Sequence, residues 1–267
     1  MMDTFSVTRG ESPIVLGQPH GGTDVPDAIM ARLNATGAGL ADTDWHIHQL
    51  YDGLLAGATT VQSHVHRYVI DANRDPAGAS LYPGQNTTTL VPLTDFDGIE
   101  IWQPGQEPSE DEVEARRLAY HAPYHTALQH ELDRVRAKHG VAILFDCHSI
   151  RSNIPFLFEG ELPIFNTGTN LGATCAAQIE TAVHDVAQSS GMSAVLNGRF
   201  KGGWTTRHYG RPSDGVHAIQ MEVSQRAYMI ETPPWSYVRD RADTLRPVLQ
   251  NMLENLSEIA LSGAVKS

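Results

Sequence analysis

The 267-residue sequence predicts an α/β fold, a sheet carrying helices on both faces, on three observations. Short apolar runs alternate with helical patterns along the chain, which is the rhythm of strand–helix–strand units. One run, 141–145 (VAILF), is apolar at every position, as a strand buried on both faces at the centre of a sheet must be. Polar clusters follow directly on the strand-like runs, where open α/β sheets bind their ligands.

The elements follow in order. Residues 13–19 (PIVLGQP) read as a short strand whose turn delivers His20-Gly21-Gly22. Trp45, Ile47, Leu50, Leu54 and Leu55 roughly follow a 3.6-residue period and predict a helix over 40–57. Residues 61–70 (VQSHVHRYVI) alternate like a strand, with Asp71-Ala72-Asn73-Arg74 at its end. The Gly-, Pro- and Thr-rich stretch 76–108 reads as a long excursion over the surface, of a length usually functional or disordered. A helix is predicted over 109–138, opening at Ser109 with acidic residues in its first turn and basic ones in its last. The central strand then runs into Asp146-Cys147-His148-Ser149. A Gly/Asn loop at 166–172 leads to a helix over 173–190, and a strand near 193–197 precedes the Gly-rich 198–212. Residues 216–223 (VHAIQMEV) alternate as a strand carrying Glu222, and a helix fills 236–261. No repeat or linker divides the chain, so residues 1–267 read as one domain.

Composition narrows the function. With 41% hydrophobic and 19% charged residues the chain has material for a sizeable core. A net charge of -12 disfavours nucleic-acid and anionic-membrane partners, because phosphate binding needs a basic surface. An anionic small-molecule substrate then requires a local cluster of Arg or Lys. No apolar run reaches the roughly 18 residues of a membrane span. The N-terminus lacks the marks of a signal peptide, and the chain reads as cytoplasmic. Two cysteines, Cys147 and Cys175, make no disulfide framework.

Thirteen histidines draw attention to metal chemistry. A hydrolytic metal site takes three ligands from His, Asp and Glu and leaves one position open for water. His20 and His148 are candidates, each after an apolar strand and before a small residue. Asp42 and Asp44 both offer the carboxylate, although Asp42 also suits a helix N-cap. Such ligands suit several divalent ions. Glu222, flanked by Met221 and Val223, suits a desolvated general base, the alternative being a strand Glu facing solvent. Arginines 67, 74, 199, 207, 211 and 226 can fork onto carboxylates or pair with surface acids. Gly202-Gly203 belongs to no Walker or GxGxxG pattern. Cys147 and His148 are strand neighbours on opposite faces, which argues against a thiol–imidazole pair.

Six blocks carry a family resemblance: PHGGTDVP at 19–26, DTDWHIHQLYD at 42–52, RYVIDANRDP at 67–76, YHAPYH at 120–125, DCHSIRS at 146–152 and NGRFKGGWTTRHYGRPSDGVHAIQMEVSQRAYM at 197–229. In that order they resemble the N-formylglutamate deformylases over about residues 12–250. That family is similar in fold to zinc carboxypeptidases and aspartoacylases. The resemblance implies a single-domain three-layer sandwich with a mixed central sheet flanked by helices. It also implies one zinc ion per chain, on His20, Asp44 and His148, with Asp44 preferred to Asp42. Glu222 would be the base and Arg67 the oxyanion partner. Asn73 and Arg74 would grip one substrate carboxylate, and Arg207 and His208 the second. The implied reaction is hydrolysis of the formamide bond of N-formyl-L-glutamate, within histidine degradation. The alternative is an amidohydrolase for another N-acyl amino acid such as an N-acyl aspartate. A metal-free dicarboxylate-binding protein would be expected to have lost part of the ligand set, and His20, Asp44, His148 and Glu222 are all present. Two positions depart from pattern: Thr23 breaks the HxxE spacing after His20, and Ile164 stands where LPDFN-like segments carry Asp.

Overall fold

Two strands of nine residues, each buried at every position, set the plan of the fold. The computed structural model describes residues 3–79, 84 and 86–265. In chain order the elements begin with β1 (Phe5–Thr8), β2 (Ile14–Gln18) and three short helices, α1 (Asp27–Met30), α2 (Ala35–Ala38) and α3 (Ile47–Tyr51). Next come β3 (Thr59–Ser63), α4 (Glu110–Arg116), α5 (Ala122–His139) and β4 (Ala142–Ile150). The remainder is β5 (Phe165–Gly168), α6 (Ala177–Ser189), β6 (Ala194–Leu196), α7 (Trp204–Tyr209), β7 (Val216–Ser224) and α8 (Arg239–Ser262). The strands form one sheet in the order β1-β3-β2-β4-β7-β5-β6. The inner four, β3, β2, β4 and β7, run parallel, whereas β1 lies antiparallel to β3 and β5 antiparallel to β7. The sheet is therefore mixed, as the resemblance implied.

Alternation along the central strands assigns the two faces. Ile143, Phe145 and Cys147 of β4 and Ile219, Met221 and Val223 of β7 join one core with residues of α3, α6 and α8. Ala142 and Leu144, with Val216 and Ala218, join a second core with α5 and with Tyr209 of α7. The connection from β2 to β3 thus crosses one face and that from β3 to β4 crosses the other. That reversal places a crevice beyond the carboxyl ends of β2 and β4. A third cluster, including Ile29, Leu33, Tyr68, Ile101 and Trp102, packs beside the sheet. Among the described residues no helix is long and apolar enough to cross a membrane.

The structure corrects four local expectations. The helix expected over 40–57 is only α3, because Leu40 and His46 take left-handed backbone angles and the chain between them turns both Asp42 and Asp44 inward. The strand expected over 61–70 stops at Ser63, and 64–70 is irregular except for a bridge from Val65 to Asp24. The loop at 166–172 begins inside β5, and the Gly-rich 198–212 holds α7. The stretch 76–108 is irregular as read, but not simply superficial, since Leu90, Val91, Phe96, Ile101 and Trp102 are buried. Residues 80–83 and 85 of that stretch lie outside the described residues. The helix over 109–138 forms, with one π-helical turn at Arg117–His121 between α4 and α5.

Gly22 shows how tightly the site-bearing turn is seated. A Cβ there would lie 2.2 Å from the backbone carbon and oxygen of His64. The same segments are joined by Asp24 N donating to His64 O at 2.9 Å and His66 N donating to Asp24 O at 3.0 Å. No rotamer change relieves a clash between two backbones. Gly22→Ala is expected to destabilise by about 1–3 kcal/mol or more, lowering the melting temperature by roughly 3–10 °C. Calorimetry of the purified variant checks this, and an unchanged transition would contradict it.

Candidate metal and active site

One face of β4 and β7 changes character partway along. After Ala142 and Leu144 come Asp146 and His148, and after Val216 and Ala218 come Gln220 and Glu222. The register sets Asp146 beside Gln220 and His148 beside Glu222. On the opposite face Ile143, Phe145 and Cys147 of β4 and Ile219, Met221 and Val223 of β7 belong to the apolar core. The polar half of one face, at the carboxyl ends of parallel strands, is where the site lies.

His20 arrives two residues after β2, with its backbone oxygen accepting from Asp44 N at 3.0 Å. Asp44 Oδ2 lies 3.2 Å from His148 Nδ1 and 3.9 Å from His20 Nδ1, and accepts from Ser149 N at 3.1 Å. The ligand atoms of His20, Asp44 and His148 all lie within 4.8 Å of one another, and all three residues are buried. Asp42 takes no part: its Oδ2 accepts from Tyr68 Oη and Phe96 N, both at 2.8 Å, anchoring the excursion. Burial pushes the Asp42 carboxyl up to about 7.

The donor set fits a divalent cation. His20 Nε2 is engaged by Asp71 Oδ1 at 2.7 Å, while buried Nδ1 has no hydrogen-bond partner. His148 Nε2 lies 3.2 Å from both Asn73 Nδ2 and Asp146 Oδ1, the second a charge contact rather than a hydrogen bond, and Nδ1 faces Asp44. Each imidazole is therefore backed by a carboxylate, an arrangement that orients a metal-binding ring and raises its basicity. Burial disfavours a charged His148 ring, but Asp146 and Asp44 outweigh it and hold the ring well above its ordinary pKa. Burial lowers the pKa of His20, seconded by the Arg67 guanidinium. Burial alone would raise Asp44, yet Arg67, donating to Oδ1 at 2.6 Å, helps hold it low. Asp44 and Asp71 are buried against the Arg67 guanidinium, with Arg74 a further partner of Asp71, so the carboxylate between the two imidazoles is already oriented for a cation.

A cavity opens onto this cluster. His20, His148, Glu222, Arg67, Asn73, Arg74 and Arg199 all line it. Glu222 Oε2 accepts from Gln220 Nε2 at 3.0 Å, and Gln220 Oε1 accepts from Gly203 N at 2.6 Å. Burial pushes the Glu222 carboxyl up to about 8, into the range of a general base. Arg67 lies over the Phe96 ring at 4.8 Å. Arg74 Nε donates to Thr88 O at 2.9 Å. Arg207 and His208 are not among the lining residues. Arg207 Nε donates to Gly202 O at 2.9 Å, and His208 stacks on Trp204 at 4.3 Å. Cys147 faces the apolar core behind the sheet, away from the site.

A family model described as N-formylglutamate amidohydrolase matches residues 12–229. The chain belongs to the N-formylglutamate amidohydrolase family. It is a hydrolase acting on an amide. An N-formylglutamate deformylase of Pseudomonas aeruginosa is 44% identical over 258 residues, covering 96% of this chain and 97% of that protein. One of Pseudomonas putida is 43% identical, covering 96% of each. The crystal structure of an N-formylglutamate amidohydrolase from Ralstonia eutropha JMP134 superposes with a TM-score of 0.82 at 24% identity, covering 98% of this chain and 100% of that one, which is a likeness of fold.

Sequence reasoning left three parts of this amidohydrolase site unassigned. Asp146 shares a face with His148 by simple strand alternation, a signal available in the DCH triplet. Asp71 was visible only as a neighbour of Asn73, and Gln220 had no motif to mark it. If the two carboxylates orient the imidazoles, Asp71→Asn and Asp146→Asn are each expected to weaken affinity for an added divalent cation by about 10- to 100-fold. Competition against a chromophoric chelator reads this directly, and wild-type affinity in both variants would contradict it.

Proposed function

We propose that this chain hydrolyses the formamide bond of N-formyl-L-glutamate to formate and L-glutamate, using one zinc ion held by His20, Asp44 and His148. The reading is carried by the convergence of three buried donors, two of which line a cavity together with Glu222 and three arginines. The 44% and 43% identical deformylases support the choice of substrate. The same reading places the reaction in histidine degradation, as the family resemblance implies.

A bound zinc ion would polarise the formyl oxygen and lower the pKa of the attacking water. Glu222 accepts the proton of that water as oxygen attacks the formyl carbon, its raised pKa matching it to the task. The same carboxyl then gives the proton to the amide nitrogen, so the C–N bond breaks with a neutral amine leaving. Gln220, donating to Glu222 Oε2, fixes which oxygen faces the substrate. Arg67 stands where the developing oxyanion needs positive charge; one such preorganised donor contributes about 3–4 kcal/mol. Arg74, with the Asn73 amide beside it, takes one substrate carboxylate. Arg199 takes the second, replacing Arg207 and His208 in that role because it lines the cavity and they do not. Arginine suits both tasks through its bidentate geometry.

The test is formate release from N-formyl-L-glutamate by zinc-loaded protein, beside a chelated sample and Glu222→Gln. Chelation is expected to abolish turnover and zinc to restore it. Glu222→Gln is expected to lower kcat by roughly 10²- to 10⁴-fold with zinc retained and KM little changed. Absence of formate from a fully loaded sample would refute the substrate, and N-formyl-L-aspartate would then be tried as the shorter analogue.

A further inference from the structure

The site rests on a segment with no backbone ladder of its own. Residues 71–74 belong to neither helix nor strand, yet they carry Asp71 behind His20, Asn73 beside His148 and Arg74 on the cavity wall. Its carbonyls are instead held by side chains from the YHAPYH block. His125 Nε2 lies 2.7 Å from Ala72 O, and His121 Nε2 lies 3.1 Å from Arg74 O. Both histidines are buried, and their rings sit 4.3 Å apart. The π-helical turn ends at His121 and α5 begins immediately after it, so both rings point at one short stretch of chain. Such turns are rare and recur at functional sites.

The chemistry of the pair is well defined. A carbonyl only accepts, so each ring must carry its proton on Nε2. His125 Nδ1 is then an acceptor, 3.0 Å from Tyr209 Oη. Burial brings His125 down to about 3, so the ring is a neutral donor. From the other side Thr205 N donates to Asn73 Oδ1 at 2.8 Å, and Gly203 has no Cβ to strike the Asn73 amide, which would sit only 2.3 Å away. Asn73 is thus clasped between α7 and the two histidines.

The geometry points to His121 and His125 as positioning residues that set affinity for the substrate carboxylate, by fixing the carbonyls on either side of Asn73 and hence the reach of Arg74. This rests on the reading of Arg74 as a carboxylate anchor, which Arg74→Ala tests separately through its own effect on KM. With zinc-loaded protein and N-formyl-L-glutamate, His121→Phe and His125→Phe keep ring size and remove the donor. Each is expected to raise KM roughly 3- to 10-fold, with a smaller change in kcat and unchanged zinc content. Gln, whose amide reaches about as far as Nε2, is expected to restore most of the loss, and the shorter Asn is not. In an Arg74→Ala background His121→Phe is expected to add nothing to KM, which a general loss of stability would not produce. The proposal is overturned if Arg74→Ala raises KM while the Phe variants do not, or if His121→Phe acts in full on top of Arg74→Ala. Should a Phe variant fail to fold, the Gln and Asn pair decides: equal KM values for the two overturn it. An Arg74→Ala variant with wild-type KM removes the anchor reading and this inference with it.

Discussion

The buried carboxylate of Asp44 joins segments that leave different strands of the sheet. One oxygen takes the Arg67 guanidinium at 2.6 Å; the other faces His148 and the Ser149 amide, while the Asp44 backbone N–H holds the carbonyl of His20. Three chain segments, after β2, after β3 and within β4, therefore meet at one side chain. An unpaired carboxylate this deep would be very unfavourable, so the guanidinium, the imidazoles and the cation they can hold are mutually required. Stability and chemistry share the same charges. Removing one partner exposes the others to an uncompensated field.

The sheet makes this concentration of charge possible by dividing its faces unequally. Behind β4 and β7, Phe145, Cys147, Met221 and Val223 join one apolar core with residues of α6 and α8. In front, the same strands change from Leu144 and Ala218 to Asp146, His148, Gln220 and Glu222 within one step of the pleat. The apolar face buries the strands and the ladder fixes their register, so the polar face presents its side chains at fixed spacing. Gln220 and Glu222 then sit opposite Asp146 and His148 without any loop to position them. Sites on strands of this kind are held more rigidly than sites on loops.

Much of this could be read from the residues, and the rest failed for identifiable reasons. The continuous apolar run at 141–145 marked the centre of the sheet, and the alternation of 216–223 marked β7, because burial on a pleated strand leaves a direct imprint. His20, Asp44, His148 and Glu222 were recognisable from motifs and prove to be gathered in one place. Packing separates Asp42 from Asp44: Asp42 is bonded to Tyr68 and Phe96, whereas Asp44 lies with His20 and His148. The helical period at 40–57 misled because Leu50 and Leu54 do face the core, while left-handed turns at Leu40 and His46 break the helix ahead of them. Arg207 and His208 of the Gly-rich loop, read as holders of a second carboxylate, are not among the residues that line the cavity, whereas Arg199 is. Nothing in the local pattern distinguishes these arginines; only the path of the chain does.

Zinc K-edge X-ray absorption on protein loaded with one equivalent of zinc reads the ligand set itself. A site on His20, Asp44 and His148 gives a first shell of nitrogen and oxygen alone with outer-shell scattering from two imidazoles, falling to one imidazole in His20→Ala. A sulfur shell from Cys147 or Cys175, or a shell without imidazole, would contradict it.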